Sequence, residues 1–116
     1  VRRDTGEKEP VKLPALKKRV AELLDDIQLQ LFQKAKRFLD GMIADVDSWN
    51  DFLPAIRSKK LARIKFCGEE ECEDLIKEKT GGVTSRCIPL DAKKPIGKCV
   101  HCGKDAQHIA IFGRNY

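Results

Sequence analysis

Four of the five cysteines fall in two close pairs, Cys67-x4-Cys72 and Cys99-x2-Cys102, with 26 residues between the pairs. This spacing constrains the fold more than any other feature. Each pair presents two sulfurs from one tight turn, and two such turns brought together make a tetrahedron around one zinc ion, with Zn–S near ~2.3 Å. The two turns must therefore meet in space, whatever the intervening segment does. Gly68 follows the first cysteine and Gly103 the last, supplying the backbone freedom that such turns need. With thiolate at all four positions no coordination site is left open for water, which makes the metal structural rather than catalytic. Four thiolates outweigh the charge of one Zn²⁺, so cations are expected nearby, and Lys98 and Lys104 flank the second turn.

An odd number of cysteines without a secretion signal argues against a disulfide framework. The rival for Cys99-x2-Cys102 is a disulfide oxidoreductase, but no strand precedes it in the strand-to-helix arrangement of that chemistry. Cys87, in the apolar run Arg86-Cys87-Ile88-Pro89, reads as a buried thiol outside the metal set. His101 reads as a satisfied or solvated side chain rather than a ligand, pointing outward from its turn. His108 could serve as a ligand only if Cys67 or Cys72 failed to reach.

The segments joining these turns carry their own periodicities. Residues 1–12 are polar and basic, with Pro10, and read as a short extended piece and a connector. From Leu13 to Val46 apolar residues recur every three or four positions (Leu16, Val20, Leu23, Ile27, Leu31, Phe38 among them), which predicts one long helix with Pro14 in its first turn. Unbroken, it would be on the order of 50 Å long and would need another surface to cover part of it. Asp47 or Ser48 caps a second helix from Trp49 to about Ile56, which Pro54 challenges. Leu61–Phe66 alternates apolar and basic residues as a half-buried strand does. Glu69, Glu70 and Glu71 suit the positive end of a helix running to about Lys79, and Gly81-Gly82 stops it. Residues 84–90 and 108–112 read as two more strands, separated by a loop over 91–97. The fold class expected is α/β (α+β): a two-layer sandwich with a small mixed sheet, a long N-terminal helix and a structural four-cysteine zinc site.

The 116 residues, 41% hydrophobic and 35% charged, suffice for one modest core and place the chain among globular proteins. No apolar stretch approaches the roughly 20 residues that cross a bilayer, so the expectation is a soluble, cytoplasmic protein without a membrane partner. A net charge of +5 tolerates RNA nearby without making a dedicated grip on it. Lys79-Thr80-Gly81-Gly82 has the wrong order for a phosphate-binding loop, no Ser-His-Asp grouping is present, and the glutamates at 69–71 are explained by the helix dipole. No catalytic residue is assigned. The chain opens at Val1 in what reads as an interrupted strand, and is taken as a fragment of a longer protein.

At these residues the sequence resembles a known family. Phe66-Cys67-Gly68-Glu69-Glu70-Glu71-Cys72-Glu73-Asp74-Leu75-Ile76-Lys77, then Ser85-Arg86-Cys87-Ile88-Pro89, Cys99-x2-Cys102-Gly103-Lys104 and the ending Phe112-Gly113-Arg114-Asn115-Tyr116 are similar to the C-terminal zinc-binding domain of prolyl-tRNA synthetase of the archaeal and eukaryotic type. The opening Arg2-Arg3-Asp4-Thr5-Gly6-Glu7-Lys8 resembles, more weakly, the last strand of that family's anticodon-binding domain. The resemblance implies that residues 1–12 end the anticodon-binding domain, 13–47 form a connecting helix and 48–116 form the zinc domain. It implies a class II aminoacyl-tRNA synthetase, homodimeric in full length, whose catalytic domain binds ATP and Mg, activates proline and transfers it to tRNA(Pro). It implies zinc held by Cys67, Cys72, Cys99 and Cys102, and a C-terminal Tyr116 that reaches toward the catalytic centre. The alternative from another class is a free-standing zinc module that binds RNA through Lys17, Lys18, Arg19, Arg57, Lys59 and Lys60, or that docks to protein along the long helix. RNA modules usually bring exposed aromatics for base stacking, and here one Trp, one Tyr and five Phe fall mostly at apolar-periodic positions.

Overall fold

The computed structural model describes residues 1–115. It resolves into two compact units, Val1–Asp40 and a second from Gly41 onward.

In the first unit a turn of 3₁₀ helix, Leu13–Ala15, leads into α1, Leu16–Met42. Residues 1–11 fold back along α1, where Arg2 pairs with Asp26 and Arg19 with Glu9. An apolar cleft of about 870 Å³ lies between them, lined among others by Val1, Val11, Leu16, Val20, Leu23 and Ile27. Among the described residues α1 buries no side chain, and Leu24, Leu31 and Phe38 on its apolar stripe are more than half exposed.

The helix stops short of the expected Val46. Ile43–Val46 forms a strand, β1, paired in parallel with β2, Leu61–Phe66. Four residues reading Ile-Ala-Asp-Val satisfy a helical period and a strand period alike. The ladder decides between them, because β-branched Ile43 and Val46 fit a pleated surface better than a helix. Between the two strands lies α2, Trp49–Arg57. Ser48 caps it, its Oγ accepting from the Asp51 N–H at 3.1 Å, and Pro54 is accommodated inside it.

After β2 comes α3, Glu70–Thr80, with Glu70, Glu71 and Glu73 in its first turn, Lys77 and Lys79 in its last, and Gly81 in the left-handed conformation closing it. β3 is Val83–Cys87 and β4 is His108–Arg114. The sheet order is β1-β2-β4-β3, parallel between β1 and β2 and antiparallel elsewhere, so it is mixed as expected. β3 ends three residues earlier than the predicted Leu90. Its register slips between Ser85 and Cys87, Pro89 has no N–H to offer, and Ile88 and Leu90 face solvent.

Alternation along β2 buries Ala62, Ile64 and Phe66 against Phe52 and Ile56 of α2 and Cys72 and Ile76 of α3, with Val46, Val83, Ala110 and Phe112 completing the core. Phe52, Phe66 and Phe112 meet edge to face, a favoured aromatic geometry. The other side of β2 carries Arg63 and Lys65, paired with Asp45 and Asp47. No helix is long and apolar enough to cross a membrane among the described residues.

Candidate metal centre

The core ends at a cluster of sulfurs. Cys67 leaves the end of β2, Cys72 sits in the first turn of α3, and Cys99 and Cys102 lie in a tight loop before β4. That loop is a small hairpin closed by the Lys98–Asp105 bridge, with the Cys99 N–H donating to the Lys104 carbonyl and the Gly103 N–H to the Cys99 carbonyl. Val100 N–H donates to Lys65 C=O at 3.1 Å and Gln107 N–H to Phe66 C=O at 2.9 Å, fixing the hairpin to the end of β2. Gly68 and Gly103 both take positive φ, 86° and 72°, the left-handed region that glycine enters without a Cβ penalty.

All four sulfurs lie within 4.8 Å of one another, and Cys72 Sγ and Cys99 Sγ are 3.9 Å apart. A tetrahedron with the usual Zn–S bond has an edge of about 3.8 Å, so the donor set and its spacing fit a four-thiolate metal. Cys67, Cys72 and Cys99 are buried and Cys102 is exposed.

Without a cation the cluster is electrostatically awkward. Burial pushes the Cys67 and Cys72 thiols up, and neighbouring sulfurs push Cys72 further. At Cys99 burial also acts upward, but backbone N–H groups of Cys102, His101 and Cys67 directed at its sulfur outweigh it and bring the thiol down. A bound divalent cation would reverse this balance and hold all four as thiolates. Of the two cations expected, Lys104 reaches Glu69 across the two turns, while Lys98 pairs with Asp105 at the base of the hairpin. Glu69 raises the Lys104 ammonium above its usual range, with Cys102 and Cys67 adding to the effect.

Two residues differ from expectation. Cys87 is exposed rather than buried, because the register slip at the end of edge strand β3 turns that end away from the core. His101 points inward, not outward. Its Nδ1 lies 3.3 Å from Cys72 Sγ, its Nε2 3.0 Å from Lys79 Nζ, and its ring meets the edge of Trp49 at 4.8 Å between centroids. Burial and then the Lys79 charge lower its pKa. His108 stays outside the cluster, its ring against Gly68. Tyr116 lies outside the described residues. The sequence left His101 out of the ligand set but named neither of its partners, and the only local signal was its place between two ligand candidates.

The family model described as "Prolyl-tRNA synthetase, C-terminal" matches residues 49–116. The chain belongs to this family. Proline–tRNA ligase of Oceanobacillus iheyensis is 39% identical over 116 residues and that of Agathobacter rectalis 41% over 118, each match taking in 100% of this chain and 24% of the relative. A putative proline–tRNA ligase of Schizosaccharomyces pombe is 36% identical over 141 residues, with 100% of this chain and 19% of the relative covered. Among solved structures, prolyl-tRNA synthetase from Cryptosporidium parvum, complexed with halofuginone and AMPPNP, superimposes with a TM-score of 0.92 at 32% identity, over 98% of this chain and 24% of that one. The chain thus spans about a quarter of the length of these prolyl-tRNA synthetase relatives.

Proposed function

We propose that this chain is the zinc-holding C-terminal part of a proline–tRNA ligase, an enzyme that uses ATP to join proline to tRNA(Pro). The observation that carries the reading is the meeting of four cysteine sulfurs within 4.8 Å in a chain of this family. Cys67, Cys72, Cys99 and Cys102 would hold one zinc ion. With four thiolates around it, the metal supplies a cross-link rather than a reaction centre. The protein's own residues do the rest: the hairpin 97–106 is hydrogen-bonded to β2, and Lys104 ties it to the start of α3.

The preceding catalytic domain would bind ATP, Mg and proline, and the whole enzyme would act as a cytoplasmic homodimer. Residues 1–12 belong on this reading to the anticodon-binding domain and α1, which ends at Met42, is the connecting helix, while Ile43–Val46 joins the sheet of the zinc-holding unit. The open apolar cleft between residues 1–11 and α1 favours a neighbouring domain there. Tyr116 would be aimed at the catalytic domain by β4, whose end is anchored where Arg114 donates to the Thr80 carbonyl and Arg86 to the Gly113 carbonyl.

The test uses the full-length protein. Metal analysis should return about one zinc per chain, and proline-dependent exchange of pyrophosphate into ATP should be present. Deleting Tyr116 should slow that exchange while zinc content stays unchanged, since misplacing a supporting group can cost up to about 10²-fold in rate. Full activity after the deletion would remove the role given to Tyr116, and a protein without zinc or without proline-dependent exchange would overturn the reading as a whole.

A further inference from the structure

The contacts of His101 go beyond what a four-cysteine site requires. Cys72 opens α3 and Lys79 closes it, roughly two turns apart and therefore on one face. His101, arriving from the hairpin, bridges them, with Nδ1 at 3.3 Å from Cys72 Sγ and Nε2 at 3.0 Å from Lys79 Nζ. An ammonium has only protons to give, so Nε2 must accept. A neutral imidazole that accepts at one nitrogen carries its proton on the other, and that nitrogen faces sulfur. Trp49 forms the wall behind the ring. It stacks on core residue Phe52 at 5.0 Å between centroids, and Lys79 Nζ lies 5.9 Å over its ring. His101 is not itself one of the donors that lie mutually within 4.8 Å.

We propose that His101 is a positioning residue for the metal: Lys79 donates to Nε2, the ring proton sits on Nδ1, and Nδ1–H donates to Sγ of Cys72. The inference rests on the metal reading of the cluster. The relay aims the Cys72 sulfur and offsets part of the negative charge that four thiolates leave around one divalent cation. Hydrogen bonds to an ionised acceptor are about twice as strong as neutral ones. Groups that orient metal ligands in this way change metal affinity by about 10–100-fold when removed.

The experiment measures zinc release to a chelator, and the sulfur-to-metal charge-transfer band after cobalt substitution, on the full-length protein. His101→Phe keeps an aromatic ring against Trp49 but has no N–H, whereas His101→Asn places an amide N–H near the position of Nδ1. Release should be about 10–100-fold faster in His101→Phe and His101→Ala, with a shifted cobalt band, and should stay close to the unsubstituted rate in His101→Asn. Lys79→Met should speed release in the same direction, since it frees the ring to adopt the other tautomer. Unchanged release and an unchanged band in His101→Phe would overturn the relay even if His101→Ala failed to fold, and would leave His101 a packing residue. Equal loss in His101→Asn and His101→Phe would also overturn it. A protein that holds no zinc before substitution fails the metal reading itself, an outcome read directly from metal content.

Discussion

Cys72 and Cys87 stand on elements that meet in the fold, yet their surroundings give opposite chemistry. Cys72 is 3% exposed among other sulfurs, while Cys87 lies exposed at the end of β3. Cys72→Ser should release the metal and lower thermal stability, because closing such a site contributes directly to folding free energy. Cys87→Ser should retain one zinc and melt unchanged. Alkylation of the zinc-loaded protein followed by peptide mapping should find Cys87 modified well before Cys67, Cys72 or Cys99. The ligand candidates were legible in the sequence because thiolate spacing is a local property of two turns. The inward turn of His101 was not, since Trp49 and Lys79, which make its pocket, arrive from α2 and α3. Nor was the exposure of Cys87, which follows from a register slip that Arg-Cys-Ile-Pro does not encode.

Helix and strand boundaries follow the same division between local and distant causes. Ser48, the glutamates of α3 and Gly81 mark their termini by capping chemistry, and α2 and α3 begin and end within a residue or two of where those residues put them. The end of α1 depended instead on a pairing partner, β2, that lies fifteen or more residues further on. Thr80 is a linkage of the same kind. It is buried, its hydroxyl donates to the Ile76 carbonyl at 2.6 Å and accepts from the Val83 N–H at 3.1 Å, and so it couples the end of α3 to the start of β3. Thr80→Val should cost about 1–3 kcal/mol in denaturant unfolding, because the Val83 N–H is left without its partner. At the other end of the chain, the Arg19 guanidinium holds the Glu9 carboxyl below its ordinary range, and Arg2 does the same for Asp4. A carboxyl whose pKa is depressed on folding stabilises above its unfolded value and loses that contribution as pH falls through its folded one. The Glu9–Arg19 tie of residues 1–11 to α1 and the Arg2–Asp4 pair that braces the turn Arg2–Glu7 should therefore weaken below about pH 4, the turn showing faster amide exchange at Arg2 and Gly6, and Glu9→Gln should remove the Glu9 share of that pH dependence.

Across the second unit, the proposed zinc joins three stretches that are far apart in sequence: the end of β2, the start of α3 and the hairpin before β4. Chelation should unfold residues from Gly41 onward while α1 keeps its helical signal, which circular dichroism combined with hydrogen exchange would resolve. The mixed sheet and the two-layer packing were legible because β2 alternates cleanly between buried and half-buried positions. The strand order was not, because β4 enters between β2 and β3 although it is made after both. That order sets a schedule for synthesis on the ribosome. While residues 108–114 are still inside the exit tunnel, the nascent sheet is split down its middle. Phe66 and Val83 then lack the neighbour that covers them, and Cys99 and Cys102 emerge before the strand that secures their hairpin. Completion of this unit therefore waits on its last strand, and a chain cut short before Ala110 would present an open apolar seam to the chaperones and proteases that inspect unfinished proteins.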